Sequence, residues 1–239
     1  AQNVLSEITE VYEDYNCRDF DFEDDTFTLN RKLVETLCDL IIQHRLDISW
    51  TCSTRVDLIT GELLQKMKKA GCTRVQLGIE SGNPNILQFI KKGITLEDAQ
   101  RAVKLAKRHG MDVLAYFMVG FPKDTRETIL DTIRFMKQLN PDFACLSITT
   151  PYPGTELFQM AKQSLVFDQN PDWAAFFHQS PDIVLAEKMT KQDFGKMIKI
   201  AEKAVDGHNR RKFRYMLKRF MERRYYKRPL DVLRVLLES

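Results

Sequence analysis

Apolar positions along this chain alternate between a helical spacing and a strand spacing, and the alternation is regular enough to predict an architecture. Residues 2–14 put Val4, Ile8, Val11 and Tyr12 on one helical face, and Asp19–Phe22 is short and alternating. Asn30 is placed to cap a helix running to His44, with Leu33, Leu37, Leu40 and Ile41 as its apolar stripe. Asp47–Ser53 reads as a strand, and the helix opening at Thr60 stops at Gly71, where a left-handed residue is expected. Arg74–Glu80 reads as an apolar strand. Thr95 and Asp98 form a capping box for a helix that Gly110 closes. Val113–Val119 is a nearly continuous apolar run, the pattern of a parallel strand covered on both faces. Asp124 with Glu127 starts a helix ending near Asn140-Pro141, and Phe143–Thr149 is the last strand.

Strands joined by helical crossovers are parallel, and right-handed crossovers curl such a sheet toward a barrel. The predicted fold is therefore α/β, a partial, open (β/α)6 barrel of parallel strands. The chain opens on a helix where the pattern calls for a strand, so the barrel's first strand is expected to be missing and the strands present to be the second to sixth. Ligands in such folds sit at the C-terminal strand ends. The polar clusters fall there: Asp24-Asp25-Thr26, Ser53-Thr54-Arg55, Glu80-Ser81-Gly82, Gly120-Phe121-Pro122 and the loop from Thr150 to Thr155. After residue 156 the rhythm changes to a loop-rich stretch through 187, a capped helix from Thr190 to about Val205, a basic stretch from His208 to Arg228 and a short final helix with Pro229 in its first turn. The division is a barrel over 1–160 and a mainly helical extension over 161–239.

Composition adds limits. With 44% hydrophobic and 29% charged residues the chain can bury a sizeable core, and the net charge of +3 says little about partners. Five cysteines, an odd number with no C-x-x-C pair, argue against a disulfide framework and for a reducing, cytoplasmic setting. Cys38 and Cys72 read as small buried hydrophobes, whereas Cys52 can face the barrel mouth. No apolar run is long enough to cross a bilayer.

The phrases "FEDDTFTLNRKL", "WTCSTRVDLIT", "RVQLGIESGNPNILQFIKKGIT", "AYFMVGFPKDTRETILDTIRFMKQLNPD" and "TTPYPGTELF", in this order over residues 1–160, resemble the radical-SAM superfamily, in its cobalamin-binding branch. The resemblance implies an enzyme that reductively cleaves S-adenosylmethionine (AdoMet) at a [4Fe–4S] cluster. Radical chemistry such as methyl transfer or cyclisation would follow, on a small-molecule, tetrapyrrole or lipid-like substrate. It also implies a C-x-x-x-C-x-x-C cluster loop, expected about two dozen residues before Ala1 by ordinary β-to-α connection lengths. Cobalamin would be held through an N-terminal domain. Neither feature is in this sequence, so the expectation is a fragment of a longer enzyme, inactive alone, binding no metal and at most weakly binding AdoMet.

By the same resemblance Asp24, Asp25 and Thr26 receive the methionine amine, and Arg55 pairs with its carboxylate. Glu80 with Ser81 takes the ribose diol, and Lys92, on the following helix, is a second partner for the carboxylate. Tyr116, Val119 and Gly120 pack and hydrogen-bond the ligand, and Pro151, Pro153 and Gly154 shape the adenine loop.

Each residue has a plainer reading. Asp24-Asp25-Thr26 can be a helix-entry turn, Arg55 can pair with Asp57 or Glu62, Lys92 can be a solvated lysine, and Tyr116 can be core. Glu80 follows a buried run, and a buried carboxylate needs a partner, an arginine or a ligand. Residues 210–228 carry ten Lys or Arg and one acid, and read first as an amphipathic helix packed on the domain. Nucleic acid is not expected as a partner. The rival to the enzyme is a cluster-less barrel serving as a binding module whose basic segment recruits an anionic partner. A parallel edge left open also invites self-association.

Overall fold

The computed structural model describes residues 1–163, 173, 176–177, 180 and 183–222, with side chains through 211. Its sheet has five parallel strands in chain order: β1 (Asp19–Phe22), β2 (Ser49–Thr54), β3 (Cys72–Glu80), β4 (Asp112–Val119) and β5 (Phe143–Ile148). Each neighbour is the next strand in sequence, so the crossovers wind in one direction and the sheet curls into the predicted half-barrel. The crossovers are α2 (Arg31–Gln43), α3 (Gly61–Lys69), a pair formed by α4 (Pro84–Phe89) and α5 (Leu96–Arg108), and α6 (Arg126–Leu139), with α1 (Gln2–Asp14) leading into β1. α7 (Glu156–Gln163) follows β5, and α8 spans Lys191–Glu222. α8 thus runs well past the predicted end at Val205, through the first part of the basic stretch. The side chains of that stretch beyond 211, and the Pro229 helix, lie outside the described residues.

Local chemistry sets the helix ends. Asn30, Thr60 and Thr95 accept from the backbone N–H groups of Leu33, Leu63 and Asp98, and the Thr95–Asp98 capping box is reciprocal. α6 departs from expectation. Thr125 is its N-cap and closes the box with Thr128. Asp124 is buried and accepts from Gly120 N (2.8 Å), Phe121 N (3.0 Å) and Thr128 Oγ1 (2.6 Å). Burial pushes the Asp124 carboxyl up from its ordinary value, against the pull of these bonds. On α2 the buried stripe is Val34, Leu37, Cys38 and Ile41; Leu33 is exposed, one position out of phase with the expected face.

The sheet's two faces differ, which corrects the reading of β4 as a strand covered on both faces. Trp50, Cys52, Val75, Leu77, Ile79, Val113, Ala115 and Phe117 are buried in one core with Leu37, Leu63, Met67, Ala102 and Val103 of the helices. The alternate residues Thr51, Ser53, Gln76, Glu80, Tyr116 and Cys145 are only partly buried and line the hollow. The hollow carries a hydrogen-bonded strip: Thr51 Oγ1 donates to the Asp21 carboxylate, Gln76 Nε2 donates to Asp21 (3.3 Å), and the Tyr116 hydroxyl donates to Gln76 Oε1 (2.6 Å). Tyr116 is therefore not core.

A second cluster joins Val119, Ile129, Ile133 and Ile148 to Phe194, Met197, Ile198 and Ala201 of α8. α8 also covers the β5 edge. Asn209 accepts from Ala144 N (3.0 Å) and donates to Ala144 O (2.9 Å), giving that edge residue the two bonds a neighbouring strand would supply. This caps the β5 edge at Ala144; the edge where the missing first strand was expected is the opposite one, at β1. No helix among the described residues is long and apolar enough to cross a membrane.

Candidate functional site

The parallel register brings the C-terminal strand ends to one rim. Phe22 lies beside Cys52, Thr54 beside Leu77, Glu80 beside Phe117 and Val119 beside Ile148. The most organised part of this rim is the end of β3. The ladder shifts register between Gly78 and Glu80, and Ser81 N donates back to Ile79 O at 2.9 Å across a Glu80 φ of +69°. This is a three-residue turn with a non-glycine centre in the left-handed region, a conformation that costs energy. The Glu80 carboxylate accepts from Lys92 Nζ at 2.6 Å, and both side chains are under one-fifth exposed. A Cβ on Gly78 would stand 2.8 Å from Glu80 Oε1 and 3.1 Å from Lys92 Nζ, so the ion pair lies folded over the bare backbone of Gly78.

Lys92 is not on the helix, as the sequence suggested, but in the turn after α4. Its N–H donates to Leu87 O (3.1 Å), and it sits between left-handed Lys91 (φ +54°) and Gly93 (φ +72°). Its carbonyl accepts from Arg55 Nη2 at 3.0 Å. Arg55 Nε and Nη2 fork the Asp57 carboxylate at 3.0 and 3.1 Å, the plainer pairing foreseen for it. The structure thus unites Arg55, Glu80 and Lys92, with Lys92 rather than an arginine as Glu80's partner, and Lys92 is no solvated lysine.

The other expected residues fall into two groups. Asp24 and Asp25 are exposed in the turn after β1, with Thr26 half-buried ahead of the helical turn Phe27–Leu29. The buried hydroxyls of Thr28 and Thr54 hydrogen-bond each other and tie that turn to the end of β2. Gly154 is exposed with φ +88°, and Pro151 is buried.

Ser81 and Gly120 face inward. The Ser81 hydroxyl meets Thr132 Oγ1 of α6 (3.1 Å) and accepts from Asn83 N. Gly120 N is taken by Asp124, and a Cβ there would stand 2.8 Å from the Phe194 ring. Cys52 is buried on the helix side and away from the mouth.

Two features escaped sequence reading: the hollow's strip of Asp21, Thr51 and Gln76, and a groove of about 250 Å³ at the rim. Phe89, Ile90, Phe121, Leu157 and Met160 line the groove, with Lys91 and Glu156 paired at 2.8 Å beside it. The strip was visible as alternate polar letters in "SWTCST" and "RVQLGIE".

The Radical SAM superfamily model matches residues 1–136, more than half of the chain. The chain belongs to the radical SAM superfamily. An uncharacterized methyltransferase of Pyrococcus horikoshii is 39% identical over 202 residues, 84% of this chain and 43% of the relative. The anaerobic magnesium-protoporphyrin IX monomethyl ester cyclase of Rubrivivax gelatinosus is 33% identical over 170 residues, 70% of this chain and 31% of that enzyme. The radical S-adenosylmethionine methyltransferase TsrM from Kitasatospora setae, solved with cobalamin and a [4Fe–4S] cluster bound, shares the fold with a TM-score of 0.62 at 20% identity. That likeness covers 70% of this chain and 34% of TsrM. The chain therefore spans less than half the length of these relatives.

The superfamily implies AdoMet and a cluster, and the described residues suit them differently. For AdoMet there is a built feature, a cation and a carboxylate held over a backbone cradle that any β-carbon would fill. For the cluster there is not. Among the described residues no three His, Cys, Asp or Glu side chains gather as metal ligands. Cys38, Cys52 and Cys72 are buried among the helices, and burial pushes the Cys38 thiol up to about 12 and the Cys72 thiol upward, whereas a metal takes the thiolate.

Proposed function

We propose that this chain is the part of a radical SAM enzyme that grips and orients AdoMet, and that in the whole protein AdoMet is cleaved reductively at a [4Fe–4S] cluster to start radical chemistry on a small organic substrate. The carrying observation is the Lys92–Glu80 pair folded over Gly78 at the end of β3. AdoMet bears a carboxylate, an ammonium and a ribose diol. Lys92 suits the carboxylate, and Glu80 accepts from the two ribose hydroxyls. Because the two are already paired, ligand entry exchanges partners and leaves no charge buried alone, the outcome that would cost most.

Asp24, Asp25 and Thr26, in the rim turn after β1, two strands away, offer the ammonium carboxylate and carbonyl acceptors suited to a cation. The groove at Phe89, Ile90 and Phe121 offers an apolar slot to the adenine ring, with Pro151 and Gly154 in the loop that follows β5. Tyr116, its hydroxyl fixed on Gln76, faces the hollow in which the substrate would lie.

AdoMet supplies the radical; the barrel supplies position and exclusion of water. The reaction class we place with the relatives' methyl transfer and cyclisation, with a conjugated small molecule as substrate and cobalamin as methyl carrier, by likeness to the Kitasatospora enzyme.

Calorimetric titration of AdoMet into the full-length protein tests the assignment. One charge-assisted hydrogen bond is worth ~1.5–3 kcal/mol, so Lys92→Ala and Glu80→Gln should each weaken binding at least about tenfold. Wild-type affinity in both variants refutes it.

A further inference from the structure

We infer that Arg55 is a positioning residue for this site, acting through Lys92 and not on the ligand; the inference rests on the reading of Lys92 given above. Lys92 is held at three points. Its N–H closes the end of α4 on Leu87 O, its ammonium meets Glu80, and its carbonyl is held by Arg55 Nη2 at 3.0 Å. The turn that presents it is intrinsically unfavourable, because Lys91 at φ +54° is a non-glycine residue in the left-handed region. A lysine side chain in such a turn has many rotamers, and the backbone that launches it must be fixed before the ammonium can be.

Arg55 is suited to that task. Its fork on Asp57, with bonds of 3.0 and 3.1 Å, sets the guanidinium plane, and an N–H on the same plane then reaches the Lys92 carbonyl. A lysine at position 55 has no planar fork to fix both contacts in one orientation. Asp57 and Arg55 flank the start of the helical turn after β2 (Val56–Leu58), so β2 and the α4 turn, distant in sequence, are joined through one guanidinium. Direct ligation by Arg55 would have to come from Nη1, since Nε and Nη2 are the nitrogens that Asp57 and the Lys92 carbonyl take.

The test is a double-mutant cycle on the full-length protein, reading the calorimetric Kd for AdoMet and for S-adenosylhomocysteine. Arg55→Ala and Arg55→Lys should each weaken binding about tenfold in the wild-type background and less than about twofold beside Lys92→Ala, the non-additivity expected of residues acting as one unit. Melting temperature, which a merely structural role would move, should stay within a few degrees. Should Arg55→Ala fail to fold, Asp57→Asn loosens the same fork at an exposed position, and its loss should likewise vanish beside Lys92→Ala. Equal losses in both backgrounds overturn the proposal in favour of direct contact, and wild-type affinity in the Arg55 variants overturns it outright. Wild-type affinity in Lys92→Ala sinks the assignment of the site itself and the positioning role with it, a result distinguishable from the other two.

Discussion

Gly78→Ala separates what the rim does for the fold from what it does for the ligand. The added Cβ would sit 2.8 Å from Glu80 Oε1 and 3.1 Å from Lys92 Nζ, both far ends of flexible side chains, so the pair moves and the backbone does not. Two stability effects oppose each other. Alanine at a residue with ordinary strand φ restricts the unfolded chain and contributes ~0.4–1 kcal/mol. Displacing a charged hydrogen bond costs ~1.5–3 kcal/mol if it is wholly lost, less if the pair re-forms off the cradle. The net is about 1 kcal/mol of destabilisation, a drop in Tm of ~2–4 °C for a chain this size. If the pair holds AdoMet as proposed, affinity should fall about tenfold, since carboxylate and ammonium would no longer sit where the ligand would meet them. Calorimetry and a thermal melt on the same preparation decide the matter, with Gly195→Ala as control. That residue is on α8 with open space around a Cβ, so alanine should stabilise by up to ~1 kcal/mol and leave binding alone. Wild-type AdoMet affinity in Gly78→Ala, with the ion pair unmoved in a crystal structure, would refute the cradle.

Three further outcomes are expected. The Asp124 carboxyl is raised by burial above its ordinary 3.8, so the native state holds this proton longer than the unfolded chain and stability falls as pH rises from about 3.8 through the folded value; Asp124→Asn, which keeps the acceptor for Gly120 and Phe121, should flatten that segment of a pH-dependent denaturant series. Native protein should titrate with a thiol reagent at Cys17 and Cys145, and the buried Cys38, Cys52 and Cys72 should react only on unfolding; fast native labelling at Cys38 would contradict its burial. Asn209→Ala strips the Ala144 N–H and C=O of their partner and should give concentration-dependent association in light scattering, while an unchanged monomer–oligomer balance would show that α8 protects the β5 edge by bulk alone.

What the sequence disclosed and what it hid follow one physical line. All five strands and the crossover helices α2, α3, α5 and α6 were legible because each is specified locally, by period and by caps such as Asn30, Thr60 and the Thr95–Asp98 box, whereas the short α4 was not. The gathering of polar clusters at one rim was legible because parallel strands can do nothing else. The two faces of β4 were misjudged because the rule for parallel strands assumes cover on both sides, whereas a half-barrel has helices on one, so Leu114, Tyr116 and Met118 are only half-buried between buried neighbours. That Glu80 needs a partner was legible from the cost of a buried carboxylate, but the choice of Lys92 depends on how α4 ends. Arg55's hold on Lys92 was hidden altogether, since its acceptor is a backbone carbonyl and no residue letter records one. Asn209 against Ala144 was hidden for the same reason.

The Glu80 backbone allows a last test. Its φ of +69°, under the tight bond from Ser81 N to Ile79 O, is a conformation glycine adopts freely and glutamate does not. The consequence of the turn is directional, because it folds the carboxylate back over Gly78 to meet Lys92, where an extended Glu80 would continue the strand's alternation. If that direction is what the strain secures, removing the charge and removing the strain should act oppositely. Glu80→Gln keeps the strained Cα and loses the ion pair; Glu80→Gly loses the pair and relieves the backbone. Glycine inside a strand ordinarily costs ~0.5–1 kcal/mol relative to alanine, but at this φ it should be the more stable of the two variants by about 1 kcal/mol in urea unfolding, while binding AdoMet no better. A glycine variant less stable than the glutamine one would mean that the turn costs glutamate nothing, and that Glu80 reaches Lys92 by ordinary side-chain rotation.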